Sequence, residues 1–439
     1  MNPPARSLAD VVSCLSGYDP DAVPVTDAQR IIRDFITPID CIEQLALRSA
    51  LGRVLARDII SSIDVPSHDN SAMDGYALRS IDLGSADVTL AVAGTAYAGR
   101  AHAGSVGPGQ CIRIMTGAVM PPECDTVIPQ EFTLPATGLH ATGSDTNQSH
   151  IVVPAGAVRS GDNRRFRGED LAVGQVALCK GRILRPADLG LLASLGIAEV
   201  PVQRRLRVAF FSTGDELRSI GQPLDEGCVY DSNRYTLHGM LARLGCELID
   251  MGVVKDDPDS LEAALRSACE NADAIITSGG VSVGAADYTR DIMARLGEVA
   301  FWKIGMRPGR PMAFGQIRSN GQSAFLFGLP GNPVAVMVTF YFVARQALLH
   351  MMGADATAPP LMRARSAAAI RKKPGRTEYQ RGILSTDSDG CQQVRITGAQ
   401  GSGILRSMVE ANCMVVLHDA QGSVAAGDLV DVMLFDGLT

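Results

Sequence analysis

Acidic side chains recur at three points of this chain: Asp215 and Glu216 within STGDE (212–216), Asp256 and Asp257 before Pro258, and Asp287 at the end of TSGGVSVGAAD (277–287). Any one of them reads equally well as a helix cap or a solvated loop charge. If the fold brings them together, they suit Mg²⁺, which takes a few carboxylates and leaves its other positions to water and substrate phosphate. The TSGGVSVG loop offers a complementary feature. Gly279, Gly280 and Gly284 let the backbone turn N–H groups toward a guest ahead of a helix, which makes an anion cradle. The string is neither a Walker A loop nor G-x-G-x-x-G, and a tight turn is the plain alternative. Lys303, Arg307 and Arg310 add positive charge, and guanidinium forks match phosphate or another tetrahedral oxyanion. Taken singly they are surface charges; beside a metal site they form an anion clamp.

The elements that must position these groups lie between 205 and 354. LRVAFF, CELIDMGVV and DAIITS read as buried strands, and helices follow each: one opened by Asp231-Ser232 and closed by Gly245, one capped by Asp259 and running to about Cys269, one from Asp287 to Leu296. VAFWKI, PMAFGQI and SAFLFG continue the strand series, and Pro333 starts a long final helix. Strands alternating with helices predict a doubly wound α/β domain with a parallel sheet covered on both faces. Ligands of such sheets bind beyond the carboxyl ends of the strands. That rule gathers the acidic loops, the glycine loop and GLPGNP (328–333) on one edge, while the position of RPGRP (307–311) depends on how its hairpin folds.

Other regions have a different texture. Residues 61–162 alternate short apolar runs with Gly and Pro, which predicts a β-rich unit inserted between two halves of an elongated domain, 1–60 and 163–204. Residues 43–58 carry apolar residues at helical spacing, and 185–195 form a helix bracketed by Pro186 and Gly196. After Pro359-Pro360, residues 355–439 read as a small β-barrel or sandwich.

Composition narrows the classes. The 439 residues are 46% hydrophobic and 20% charged, so a packed core is expected and a disordered or fibrous protein is not. The net charge of −7 and the 5% aromatic content, with Trp302 the single tryptophan, argue against a nucleic-acid partner. Ten scattered cysteines without a C-x-x-C pair fit a reducing compartment rather than a zinc ribbon or redox centre. The first twenty residues lack the pattern of a secretion signal, and the most apolar run, 334–344, falls short of the ~20 residues of a membrane span. A cytoplasmic protein without a membrane partner is the expectation. The seven histidines show no paired ligand spacing. These features alone reach an α/β enzyme or binder that handles phosphate and a divalent cation.

Longer strings go further. DVPSHDNSAMDGYALR (64–79), IRIMTGAVMP (112–121), RGEDL (167–171), FFSTGDEL (210–217), YDSNRYTL (230–237), TSGGVSVGAADYT (277–289), FWKIGMRPGRPMAFG (301–315), FGLPGNPVAVMVTF (327–340) and TGAQGSGILRSM (397–408) resemble the MoeA family, the molybdopterin molybdenumtransferases related to the gephyrin E domain. The resemblance implies a molybdopterin-adenylyltransferase-like α/β domain, an elongated domain with a β-rich insertion, and a C-terminal β-barrel. It implies insertion of molybdenum from molybdate into adenylylated molybdopterin, with AMP released and Mg²⁺ assisting.

It further implies a homodimer whose active site is shared between subunits, Asp74 and Thr116 coming from the partner, and possible contact with a MogA-type molybdopterin adenylyltransferase. Glu216, Asp256 and Asp287 match the catalytic and metal-side carboxylates, and Lys303 and Arg307 the catalytic cations. Substrate contacts fall on Arg165, Asp170, Thr213, Gly214, Ser278, Gly279, Gly280, Ser282, Gly284, Arg310, Pro330, Asn332, Pro333 and Ser402. For Asp74, Thr116, Arg165 and Asp170 the residues alone would allow a turn, a strand-end hydroxyl and a surface salt bridge. The chain departs from many relatives at Arg307 and Arg310, where Lys is common, at Ala285, where Glu is common, and at Arg290, where Lys is common. A non-catalytic scaffold and adenylyl transfer from ATP are the competing readings.

Overall fold

The structure, a computed structural model, describes residues 7–13, 18–135, 149–280, 287–355 and 358–435, without the side chain of Asp287. Six strands of the 205–354 region form one sheet: β1 (Arg207–Thr213), β2 (Glu247–Val254), β3 (Ala274–Ser278), β4 (Gly297–Lys303), β5 (Pro311–Ser319) and β6 (Gln322–Leu329), in the order β2-β1-β3-β6-β5-β4. Strands β2, β1, β3 and β6 run parallel, whereas β5 is antiparallel to both β6 and β4. The sheet is therefore mixed, not parallel throughout. The two-residue Asn320-Gly321 connection is the cause, because a tight turn with positive φ at both positions returns the chain directly alongside itself.

Alternation along β1 explains the two cores. Val208 and Phe210 face one cluster, with the helices α1 (Ser232–Arg243) and α4 (Pro333–Met351), while Ala209 and Phe211 face another, with α2 (Pro258–Asn271) and α3 (Asp287–Leu296). Helix α4 is long and apolar enough to cross a membrane by composition, yet 78% of its apolar window is buried in this domain, so core packing accounts for its character. Asp231 caps α1 by accepting from the Arg234 N–H. The cap of α2 is Asp257, which accepts from the Ser260 N–H at 2.9 Å, not Asp259 as the spacing suggested; Pro258 occupies the first helical turn and places the cap just before it.

Residues 43–58 are not a helix. Ile42–Ala46 is a strand, paired antiparallel with Glu199–Gln203, and only a short 3₁₀ turn, Leu47–Ser49, follows it. Val200 and Val202 form a buried floor that favours a period of two over the helical period, and tertiary pairing overrides local propensity. Helix Pro186–Ser194 forms as expected, with Asp188 accepting from the Arg185 N–H. A further helix, Val25–Phe35, packs its buried face on the α/β core, and Phe35 meets Phe314 and Phe325 edge-on at 5.7 and 5.9 Å.

The inserted unit is a six-stranded sheet, and apolar side chains from Gly75–Leu78 and Thr126–Pro129 fill clusters on both of its faces. In the C-terminal region, Met362–Ser366, Thr377–Thr386, Gln392–Ile396, Cys413–Leu417 and Leu429–Leu434 close a barrel, because Thr377–Thr386 pairs with both Gln392–Ile396 and Cys413–Leu417. Met306-Arg307, from the connection between β4 and β5, joins the barrel strand at Thr377 and Glu378. That splice brings the barrel to the sheet rim.

Candidate active site

A cavity of about 740 Å³ opens at the carboxyl ends of β1, β3 and β6. Thr213, Gly214 and Glu216 reach it from the end of β1 and its loop, Asp256 from the loop after β2, and Ser278, Gly279 and Gly280 from β3 and its loop. Pro330 and Asn332 come from the loop before α4, Arg307 and Arg310 from the β4–β5 connection, and Ser402 from the barrel. These twelve residues were all singled out in the sequence, and the fold brings them to one space.

The backbone at Gly279 has a local reason to be glycine. Its φ is +94°, and a Cβ there would lie 2.5 Å from the Thr213 carbonyl oxygen, so the turn that brings the loop over β1 excludes a side chain. Asn233, on the first turn of α1, locks this region. Its amide donates to Ser278 Oγ at 2.8 Å and to the Gly331 carbonyl at 2.6 Å, tying the end of β3 to the loop before α4. The carbonyl can only accept, so the amide orientation is settled. Thr213 Oγ1, against the glycine turn, and Asn233 Oδ1 are left buried without a protein partner.

Asp256 is held by Tyr288, whose hydroxyl lies 2.6 Å from both its Oδ1 and its carbonyl oxygen. The hydrogen bond to Asp256, then burial and the neighbouring carboxylates, push the Tyr288 hydroxyl up to about 12, so it stays a donor at neutral pH. On the barrel side, Arg381 is fully buried and donates to Ser407 Oγ and the Gly401 carbonyl, both at 3.0 Å. Burial pulls its guanidinium down to about 10. Gln400 is tied to Arg381 through both its amide groups, and the Ser402 carbonyl accepts from the Val334 N–H at 3.0 Å. Asn233, Tyr288, Arg381 and Gln400 were not singled out in the sequence. Asn233 and Tyr288 each sit within two residues of a helix-opening Asp at the sheet rim, which is a usable signal; nothing local marks Arg381.

Glu216 and Asp256 offer hard oxygen donors, and among the described residues no third Asp, Glu, His or Cys closes a cage with them. Two carboxylates with room for water and phosphate fit Mg²⁺, whose sites seldom consist of protein ligands alone.

Other positions lie elsewhere. Lys303 does not line the cavity: its Nζ pairs with Asp21 at 2.6 Å in a neighbouring basin, because β4 is the edge strand and β5 lies between it and β6. Pro333 starts α4 and shapes the loop rather than facing the space. Ser282, Gly284, Ala285 and the Asp287 side chain lie outside the described residues. Arg165 and Asp170 are exposed near the inserted unit, Arg165 lying 3.9 Å from Glu169.

Asp74 and Thr116 are brought to each other, not to the cavity. Gly75 pairs with Ile114 across the inserted sheet, so the residues just beyond these strand ends meet. Gly75 must lack a side chain, because a Cβ would fall 1.9 Å from the Ile128 carbonyl oxygen. The Thr116 N–H and hydroxyl both donate to Asp74 Oδ1 at 2.7 Å, and these bonds hold the Asp74 carboxyl below the usual carboxylate range.

A doubly wound domain that presents a glycine turn, carboxylates and guanidinium groups to one cavity, with a β-barrel at its rim, defines a multidomain α/β protein with a cavity suited to an anionic guest. The chain belongs to the MoeA family. Residues 23–196 match the MoeA N-terminal region (domain I and II), residues 209–350 a probable molybdopterin binding domain, and residues 363–435 the MoeA C-terminal region (domain IV). It is 42% identical to a molybdopterin molybdenumtransferase of Haemophilus influenzae, over 90% of this chain and 94% of that one. With a molybdopterin molybdenumtransferase of Nostoc it shares 34% identity, over 93% of each. The crystal structure of a molybdopterin biosynthesis moeA protein from Pyrococcus horikoshii superposes with a TM-score of 0.78 at 30% identity, covering 94% of this chain and all of that one.

Proposed function

We propose that this protein inserts molybdenum into adenylylated molybdopterin, using molybdate and releasing AMP in a Mg²⁺-dependent reaction. The observation that carries this reading is the convergence of the glycine turn, Glu216, Asp256, Arg307, Arg310 and Ser402 on one cavity. In the reaction, the two dithiolene thiols coordinate molybdenum, and one oxo group of molybdate leaves as water with their two protons. Hydrolysis of the diphosphate link separates AMP from the pterin phosphate.

The chain's own groups divide this work. N–H groups of the turn at Gly279 and Gly280 face the phosphates, while Arg307 and Arg310 draw in the oxyanion and offset its charge. Tyr288 donates to Asp256 and holds its carboxylate in place. Mg²⁺, when bound, would be held by Glu216 and Asp256 and would neutralise diphosphate charge; stabilisation of developing charge in such a site supplies much of the rate.

We further propose a homodimer in which Asp74 and Thr116 of one copy complete the cavity of the other. Their exposure, their mutual bonds and their absence from the lining of their own chain's cavity support this. The adenylylated substrate would come from a MogA-type adenylyltransferase, and the reaction belongs in the cytoplasm, in keeping with the free thiols of the described cysteines. The test is direct: purified protein with adenylylated molybdopterin, molybdate and Mg²⁺ should yield AMP and active cofactor. Absence of both overturns the reading. A scaffold without turnover would bind the substrate and leave AMP unreleased.

A further inference from the structure

The loop after β2 is pinned from two sides, and its two neighbouring carboxylates have different duties. Asp257 caps α2 through the Ser260 N–H, and Pro258 fixes the backbone directly beyond it, so this carboxylate is already taken. Asp256 turns toward α3 instead. Tyr288, the second residue of α3, packs its half-buried ring against the core shared with α2 and sets its hydroxyl 2.6 Å from both the Asp256 carbonyl oxygen and Asp256 Oδ1. A hydroxyl has one proton to donate, and here two acceptors of a single residue face it. This fixes the rotation of the carboxylate as well as its position. Among the described residues, Oδ1 receives the Tyr288 bond and Oδ2 receives none. Asp256 lines the cavity and Tyr288 does not, so Oδ2 is the oxygen left for a guest.

Glu216 carries no such constraint. Its carboxylate lies over Gly214, where a Cβ would fall 2.6 and 2.9 Å from its two oxygens. The number of oxygens that Asp256 can offer therefore matters for the choice of cation. Mg²⁺ demands near-octahedral geometry at about 2.0–2.1 Å with few protein ligands, whereas Ca²⁺ takes about six to eight oxygens at about 2.3–2.6 Å and accepts both oxygens of one carboxylate.

We infer that Tyr288 is a specificity-determining residue for the cation: by occupying Oδ1 it keeps Asp256 a one-oxygen ligand and favours Mg²⁺ over Ca²⁺. The inference rests on the proposed Mg²⁺ requirement. Tyr288 acts through Asp256, which makes it a positioning residue, and its removal should change the ranking of two cations as well as their affinities.

The experiment titrates full-length protein, saturated with AMP, with Mg²⁺ and separately with Ca²⁺ by calorimetry. It compares wild type with Tyr288→Phe, which removes the hydroxyl and keeps the ring. Loss of a partner that holds a metal-ligating carboxylate costs about 10–100-fold in metal affinity. Mg²⁺ binding should weaken by about tenfold on that scale, while Ca²⁺ binding should hold or tighten because Oδ1 is released. A second arm needs no variant: in wild-type crystals soaked with Ca²⁺, one oxygen of Asp256 should coordinate the ion, with the Tyr288 bond intact.

If Tyr288→Phe weakens both cations by the same factor, or only lowers the melting temperature, Tyr288 supports the fold without selecting the ion and the inference is overturned. Both Asp256 oxygens on Ca²⁺ in the wild-type crystal would overturn it as well. Wild-type protein that takes up neither cation would remove the Mg²⁺ site and this inference with it. Wild type that binds Mg²⁺ yet releases no AMP would instead sink the proposed reaction, while the ratio of the two affinities would still decide on Tyr288.

Discussion

The cavity at the sheet rim draws on loops from two domains, from Thr213 to Ser402, while the Asp74–Thr116 corner draws on two neighbouring strand ends of one small sheet. Topology assembles the first: parallel strands deliver their carboxyl-end loops to one edge whatever the intervening sequence. Register assembles the second, through the Gly75–Ile114 pair. The cavity is large and has room for a substrate, with orphaned polar atoms on Thr213 and Asn233 of its lining. The corner is exposed, and its bonds are already made within one sheet. The proposed division of the site between two copies would tie activity to assembly, and this difference yields tests of decreasing size.

Complementation between inactive variants tests it most severely. Asp256→Asn should lower AMP release by about 10²–10³-fold, as does loss of a charge placed to stabilise a transition state, and Asp74→Asn should do so comparably if the corner serves a partner's cavity. Each leaves the other region intact. Co-expressed subunits should then recover about a quarter of wild-type activity, because half of the dimers are mixed and each mixed dimer has one site of two restored. If mixtures stay as inactive as the single variants, the two regions do not act together.

Arg307 probes the cavity side alone. It is 61% exposed and 3.8 Å from Glu378, so it is free to swing. Arg307→Ala should raise the molybdate KM by about tenfold or more, the scale of a lost charge-assisted bond, and Arg307→Lys should recover part of it because charge persists while the fork is lost. A fall in kcat alone, with KM fixed, would assign Arg307 to the chemical step instead of anion capture.

A smaller effect is expected at Asn233. Asn233→Asp would set a carboxylate oxygen against the Gly331 carbonyl and should cost about 1–3 kcal/mol in stability or substrate affinity, the range for an unsatisfied buried group. Paired with Ser278→Ala, the losses should be less than additive, because both act through one bond. Full additivity in AMP binding would show that Asn233 does not position the β3 loop.

What the amino-acid order made legible follows the same division. The strand–helix alternation and the rim loops could be read because hydrophobic runs and turn residues report local structure, and the edge rule converts them into a site. Lys303 was misplaced because its location depends on the antiparallel return of β5, which a local pattern does not reveal. The strand at Ile42–Ala46 was hidden for a related reason, since Glu199–Gln203, far along the chain, decides its period. Arg381 was invisible because a buried guanidinium is defined by the carbonyls around it, here those of Ala399 and Gly401, which no spacing announces. The Asp74–Thr116 pairing follows from register, and only the longer family strings drew notice to either residue.

The smallest effect concerns the corner as a structural unit. Hydrogen bonds from the Thr116 backbone, and then from its hydroxyl, lower the Asp74 carboxyl in the folded state. A carboxyl lowered on folding contributes stability that is fully present above its unfolded value and lost as pH falls through the folded one. Thr116→Val keeps the larger, backbone contribution and removes the hydroxyl's. The variant should therefore be slightly less stable than wild type near neutral pH, and the gap should close as the medium is acidified below the carboxylate range. Urea unfolding monitored from pH 7 downward measures this. A gap that stays constant with pH would mean that the hydroxyl stabilises the corner through packing, with the Asp74 charge uninvolved, and would weaken the view that the inserted sheet holds this carboxylate ionised for use outside its own chain.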